Sequence, residues 1–390
     1  MHIINRISDF HDDMTAWRQD IHAHPETAFE ERRTAALVAD KLRGWGIDVH
    51  EGLAKTGVVG TLQRGSGRRV IGLRADMDAL PMDELNNFAH RSTVPGKFHG
   101  CGHDGHTTML LGAARYLAET GNFDGTVHFI FQPAEENVAG GGVMVHEGLF
   151  EKFPMAAVYG LHNRPNLPLG AFAMRPGPAL ANADNFGIVI RGRGTHAGWP
   201  HLGIDIVVVA AHMIVALQTI VSREIDPLEA AVVSVTSIHG GSSDNVIPDQ
   251  ISMRGTTRSF SPAVEDRIES HLRKIAVATA AMYGACAEVE YERRYPSLHN
   301  DPQCIAVCAE VARGIVGAVQ VDTDHEASMG SDDFSFMSNQ VPGGYVWIGS
   351  GPVEASQFLH NPRYDFNDDI LPIGASYWAR LVESELPRKA

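Results

Sequence analysis

Apolar residues recur at helical spacing over residues 12–22 and 27–43, and Gly44 and Gly46 close the second run. After Lys55 the texture changes. Residues 57–62 and 69–74 are short β-rich runs separated by Gly65, Ser66 and Gly67. A helical pattern over 104–119 ends at Gly121 and is followed by a strand at 126–131, a glycine-rich loop at 140–142 and a strand at 156–161. Strands alternating with helices predict a mostly parallel sheet covered on both faces.

From Asp184 to about Leu298 the order becomes strand, helix, strand, strand, helix, strand. The strands are expected at 185–193, 230–239, 250–259 and 285–293, the helices at 205–222 and 262–283. That βαββαβ order is what a small ferredoxin-like layer gives. Beyond Asn300 the first texture returns, with helices at 303–316 and 368–385 and a strand at 344–349. The fold class expected is therefore α/β: a larger domain with a mostly parallel sheet, in two parts (1–183 and 299–390), and an inserted ferredoxin-like βαββαβ domain (184–298).

Composition narrows the partners. Of 390 residues, 44% are hydrophobic and 20% charged, a globular balance. The net charge of −15 argues against a phosphate backbone as partner, so no nucleic acid is expected. No run approaches 18 uninterrupted apolar residues, so no membrane span is expected. Four scattered cysteines suit a reduced, cytoplasmic chain better than a disulfide framework. The twenty histidines are the compositional oddity, histidine being the commonest metal ligand and the usual acid–base group near neutral pH.

Three polar clusters fall at or after the carboxyl ends of expected strands: Arg74-Ala75-Asp76-Met77-Asp78, Gln132-Pro133-Ala134-Glu135-Glu136 and Gly160-Leu161-His162-Asn163. Ligands of open α/β sheets bind at those ends, so the three can converge on one site. A fourth, His99-Gly100-Cys101-Gly102-His103-Asp104-Gly105-His106, opens a helix and brings together residue types that bind transition metals. Its plainer reading is a polar helix entry capped by Asp104. Adjacent carboxylates at Glu135 and Glu136 are costly to hold in a site unless a cation compensates them. In an extended segment they would point opposite ways, so one could bind metal while the other stays free as a general base. His360, on a loop before the last helix, gains weight only if the fold returns it to the others. Cys304 and Cys308, four apart on a helix, read as core residues.

As a set, Arg74-Ala-Asp-Met-Asp-Ala-Leu-Pro81, His99-Gly-Cys-Gly-His-Asp-Gly-His106, Phe131-Gln-Pro-Ala-Glu-Glu136, Gly160-Leu-His-Asn163 and Leu359-His-Asn-Pro362 resemble the M20 metallopeptidase clan. More narrowly, they resemble its amidohydrolase branch of hippurate, N-acyl-amino-acid and indole-acetyl-amino-acid hydrolases. The resemblance implies a binuclear centre with Cys101, His103, Glu136, His162 and His360 as ligands and Glu135 as general base. His196 matches the lid histidine thought to polarise the substrate carbonyl, and Asn245 and Arg258 match substrate-binding lid positions. One departure is visible: Asp205 is followed by Ile206 where the family often has an Asp-Pro pair.

The function these readings imply is a metal-dependent amidohydrolase that cleaves the amide bond of a small-molecule N-acyl-amino acid by attack of a metal-bound water. Its cofactors would be two divalent metal ions per subunit, Zn or Mn, with Co or Ni as alternatives, and it would be a homodimer through the inserted domain. The alternatives within the same chemistry are a dipeptidase or an N-acetyl-diaminopimelate-type deacetylase. A non-catalytic metal-binding protein on the same fold is the alternative of another class. Glu135 separates the two classes, because a pure binder needs no free carboxylate beside a ligand.

Overall fold

The computed structural model describes residues 1–354 and 357–388. The chain divides into two compact units: Met1–Ala179 with His299–Glu326 and Asp333–Ala390, and Leu180–Leu298 with Ala327–Asp332.

The first unit is built on an eight-stranded sheet in the spatial order Asp48–Leu53, Gly57–Arg64, Gly125–Gln132, Val70–Asp76, Ala157–Arg164, Gly343–Gly349, Phe172–Ala173, Val321–Asp322. Its middle four strands are mutually parallel. Antiparallel partners flank them, Gly57–Arg64 on one side and Phe172–Ala173 on the other. Every residue of Gly343–Gly349 is buried, as a strand covered on both faces must be. Helices His103–Thr120 and Leu371–Glu385 pack together and contribute Leu111 and Trp378 to the same core as Phe129 of the sheet. Cys304 and Cys308 lie in this core too.

The second unit is a four-stranded sheet in the order Ala231–Gly240, Gln250–Ser259, Ala183–Arg191, Cys286–Tyr295, antiparallel throughout. With helices Ile206–Thr219 and Pro262–Met282 it has the βαββαβ order of a ferredoxin-like layer, its first and third long strands central. Asp205 caps the first helix, its Oδ1 accepting from the N–H groups of Val207 (3.0 Å) and Val208 (3.3 Å). The stretch Ile206–Glu224 is long and apolar enough to cross a membrane by length and composition, which the absence of an uninterrupted apolar run does not reveal. In this fold its Val209, Met213 and Leu217 are buried against the sheet's Ile188 and Ile190.

Four local departures from the apolar pattern bear on the site. Residues 27–31 are not helical: Thr27 bridges to Ala79, and the helix begins at Arg32. Asp76 lies inside the strand Val70–Asp76, Gln132 ends Gly125–Gln132, and His162 and Asn163 lie inside Ala157–Arg164, so all three strand-end polar clusters begin within strands. Residues 140–142 do not form a loop but open the helix Gly140–His146. Glycine is needed at 140 because a Cβ would run into Pro133 O. Finally, Glu135 and Glu136 are not extended; they open the helical turn Glu135–Val138.

A buried ionic cluster ties the amino-terminal helix His11–Ala23 to the sheet-covering helices. Arg18 Nε and Nη2 each lie 2.7 Å from the Asp368 carboxylate. His22 places Nδ1 2.7 Å from Asp104 and Nε2 3.3 Å from Glu84. Burial opposes the His22 cation, but the hydrogen bonds to Asp104 and Glu84 outweigh it and raise His22 to about 9. A raised histidine stabilises the fold fully below its unfolded value of about 6.5, and that contribution is lost as pH rises through about 9. A shift of this size corresponds to on the order of 3 kcal/mol. Thermal denaturation should therefore show the melting temperature falling between pH 7 and pH 10, with a shallower fall in His22→Gln. Identical slopes for the two proteins would contradict the assignment.

Candidate metal centre

The carboxyl ends of the parallel strands deliver the polar clusters to one place. Val70–Asp76 leads into Asp78, Gly125–Gln132 into Glu135 and Glu136, and Ala157–Arg164 carries His162 near its end. His103 is the first residue of the helix His103–Thr120. Gly102 precedes it at φ 91°, where a Cβ would lie 2.5 Å from Asn163 Oδ1 and 2.7 Å from Tyr364 Oη. The glycine therefore serves both the left-handed turn and the close approach. The cap position is Gly102, so Asp104 does not cap this helix; it is buried and holds His22 instead.

One donor atom from each of Cys101, His103 and His162 lies within 4.8 Å of the others, and the same holds for Cys101, Glu136 and His360 and for His103, Glu135 and Glu136. All five ligand positions expected from the sequence thus gather in the first unit, with Glu135 beside them. Cys101 Sγ is 3.5 Å from His162 Nε2, and His360 Nε2 is 3.1 Å from Glu136 Oε1. His360 reaches the cluster at φ 60°, its N–H donating to Gly100 O at 2.8 Å.

The donors are oriented from behind. His162 Nδ1 lies 2.7 Å from Asn163 O, so the ring presents Nε2 to the cluster. His103 Nδ1 sits 3.3 Å from Asp78 Oδ1. The two Asp78 oxygens also accept the N–H groups of Glu135 and Glu136, each at 2.9 Å. Asp76, His103 and His106 also lie close enough to share an ion. Asp76 is however already bonded to Arg74 Nη1 at 2.7 Å and His106 Nδ1 at 2.6 Å. The other nitrogen of His106 is 2.7 Å from Asn163 Oδ1, so this histidine braces the site rather than facing it.

The electrostatics fit a cation. Cys101 and Glu136 raise His360 to about 10. Burial opposes charge on His103, yet Asp76, Cys101 and Asp78 raise it well above the ordinary range. Burial, with His106 and His103 nearby, holds His162 well below that range, in the neutral form that ligates metal. Both ring nitrogens of His103 and Glu136 Oε1 are buried without a well-directed hydrogen bond. Such groups are costly unless a partner satisfies them, and a divalent cation does so for thiolate, imidazole and carboxylate together. His99 is buried nearby with neither nitrogen hydrogen-bonded, and burial pushes it down to about 4.

The remaining candidates lie in the second unit. His196 and Asn245 are neighbours there, because Thr195–His196 pairs with Val246–Ile247 and the Ala197 N–H donates to Asn245 O at 2.9 Å. His196 is exposed, accepts the Gly198 N–H at 3.0 Å and packs its ring 4.9 Å from that of Trp199. Arg258 lies on the strand Gln250–Ser259, with Nη1 donating to Thr256 Oγ1 at 2.8 Å and Thr257 O at 3.1 Å.

Sequence reasoning assigned no individual role to Asp76, Asp78, Asn163 or Tyr364, and left His106 between ligand and structural residue. The strand-end pair Asp76 and Asp78 was visible as a cluster, but apart from Arg74 the donors these carboxylates receive come from segments about 30 to 60 residues away.

Residues 72–384 match the profile of Peptidase family M20/M25/M40. Over 382 residues the chain is 38% identical to the hippurate hydrolase of Campylobacter jejuni subsp. jejuni, covering 98% of this chain and 99% of that protein. It is likewise 38% identical to the N-acetylcysteine deacetylase of Bacillus subtilis, over 96% of this chain and 97% of that one. The fold superposes with a TM-score of 0.83, at 34% identity, on the YXEP protein of Bacillus subtilis, described as a dinuclear metal-binding peptidase of the M20 family, covering 96% of this chain and 98% of that one.

Proposed function

The chain belongs to the M20/M25/M40 peptidase family, and from that premise we propose that Cys101, His103, Glu136, His162 and His360 hold two divalent metal ions while Glu135 is the general base. The chain is a metal-dependent amidohydrolase acting on N-acyl-amino acids. The observation that carries the residue assignment is the pair of donor triads sharing Cys101, with Glu135 close to His103 of one and Glu136 of the other. When bound, the metals supply a Lewis acid and a water of lowered pKa. Zn or Mn is the proposed pair; the thiol among the donors leans toward Zn, Co or Ni. A thiol ligand also works only while reduced, which suits a cytoplasmic setting.

Glu135 takes the proton of the attacking water and returns it to the leaving amine. Asp78 fixes the peptide on which both glutamates stand, through the N–H groups of Glu135 and Glu136. His196 polarises the substrate carbonyl, and Asn245 or Arg258 receives the amino acid's carboxylate through charge-assisted hydrogen bonds. These three make residues 184–298 the lid and dimerisation domain of this reading. The two edges of its sheet differ. Cys286–Tyr295 carries five charged side chains, whereas Ala231–Gly240 has no Asp, Glu, Lys or Arg. The helix Ile206–Thr219 exposes Val207, Val208 and Val215 and likewise has no charged residue. An uncharged edge beside an uncharged helix face suits a homodimer through this domain.

Two experiments test these roles. Glu135→Gln should keep its metals and lose kcat by about 10²–10⁴-fold, because only a proton acceptor is gone. Glu136→Gln should instead lose metal occupancy. Metal analysis of both purified proteins decides, and the reverse pattern would swap the roles. For the lid, His196→Ala and Glu135→Ala proteins should be mixed under conditions that exchange subunits. If His196 serves the partner's centre, activity reappears in the mixed dimer. Mixed dimers that form, keep their metals and stay inactive would remove His196 from that role.

A further inference from the structure

Glu31 lies in the first unit, fully buried, at the residue before the helix Arg32–Gly44. Its carboxylate binds three separate segments. Oε1 accepts the N–H of Phe29 and the N–H of Ala134, each at 3.0 Å, and Oε2 accepts Thr56 Oγ1 at 2.6 Å. Each of these donors is, or directly follows, a non-glycine residue held at positive φ: Phe29 at 63°, Lys55 at 70° and Ala134 at 57°. Backbone of this kind is costly for residues with a Cβ and persists only where surrounding bonds over-determine it.

Ala134 is the residue before Glu135. Glu31 and Asp78 therefore receive three consecutive peptide N–H groups, those of Ala134, Glu135 and Glu136. The segment is closed on its other side by the Gly140 N–H donating to Ala134 O at 2.8 Å. Both glutamates also reach the donor cluster, Glu136 with Cys101 and His360 and Glu135 with His103. The direction in which the proposed base leaves the backbone is set by the hinge peptide at Ala134 together with the Glu135 N–H bond to Asp78.

We infer that Glu31 is a positioning residue for Glu135: by bonding the Ala134 N–H it locks the strained peptide from which the base projects, without touching metal or substrate. The inference rests on Glu135 being the base. The role needs an acceptor of the right length, not a charge. Burial pushes the Glu31 carboxyl up to about 7, so a glutamine oxygen can serve in its place, while its amide group turns to Thr56.

The test compares Glu31→Gln, Glu31→Asp and Glu31→Ala with the parent protein, all metal-loaded, for kcat, KM, metal content and melting temperature. Glu31→Gln should restore kcat to within about threefold. Glu31→Asp, too short to span Phe29, Thr56 and Ala134, should lower kcat by about 10²-fold with metal content and KM little changed, as a displaced catalytic group does. Glu31→Ala should do the same or worse. If Glu31→Ala does not fold, the Asp and Gln proteins decide alone. Equal kcat in Glu31→Asp and the parent, or a loss in Glu31→Asp matched by loss of metal, overturns the inference. Glu135→Gln run in parallel separates the two failures. An active Glu135→Gln sinks the base itself, whereas an inactive Glu135→Gln beside a fully active Glu31→Asp sinks only the positioning role.

Discussion

A thiol, a carboxylate and three imidazoles drawn to one place, most of them out of water, favour a positive charge among them. Cys101 and His103 are buried, Glu136 nearly so, and the hydrogen-bonding capacity of His103 and Glu136 is left open. Leaving such groups unsatisfied costs on the order of 1–3 kcal/mol apiece, more where they are charged. The fold accepts this cost at the donor cluster, and the surrounding residues hold the donors there. Asp78 lies beside His103 and accepts the N–H groups of Glu135 and Glu136, Asn163 O fixes the His162 tautomer, and Asp76 with His106 supports Asn163 from behind.

The parallel sheet makes that concentration possible. Each central strand runs the same way, so each contributes its last residues to the same edge, and chemistry from residues 76, 135 and 162 converges without long loops. Close packing then leaves little freedom in how the segments cross. Gly102 must be glycine beside Asn163 and Tyr364, and Gly140 beside Pro133. Of the seven non-glycine residues at positive φ among those described, Ala134 and His360 adjoin or belong to the donor cluster. Strain is thus placed next to chemistry, where it aims side chains.

The alternation of strands and helices and the βαββαβ order of the second unit were legible in the apolar pattern, because periodicity reports which face is buried. Cys101 and His103 stood out by type in a glycine-bearing cluster, whereas the full candidate set with Glu136, His162 and His360 came only from the resemblance to the M20 clan. What the pattern could not show is where local chain direction obeys a distant partner. Residues 27–31 carry helical periodicity, yet they are drawn out of a helix by the Thr27–Ala79 bridge and by the bonds of Glu31 to Thr56 and Ala134. Glu135 and Glu136 read as extended for the same reason: the helical turn they open depends on Asp78, 57 and 58 residues away. The glycines at 140–142 read as a loop because composition does not distinguish freedom from tight contact.

If this donor set holds cations, Cys101, common to both triads, must bond to metal through its thiolate. Titrating the apo-protein with Co²⁺ while recording near-ultraviolet absorption tests it most directly, since a cobalt–thiolate bond has its own charge-transfer band. The parent protein should take up about two equivalents per chain with that band, and Cys101→Ser should lose the band and bind more weakly. A band of undiminished intensity in Cys101→Ser, or a parent protein that binds no cobalt, would contradict it.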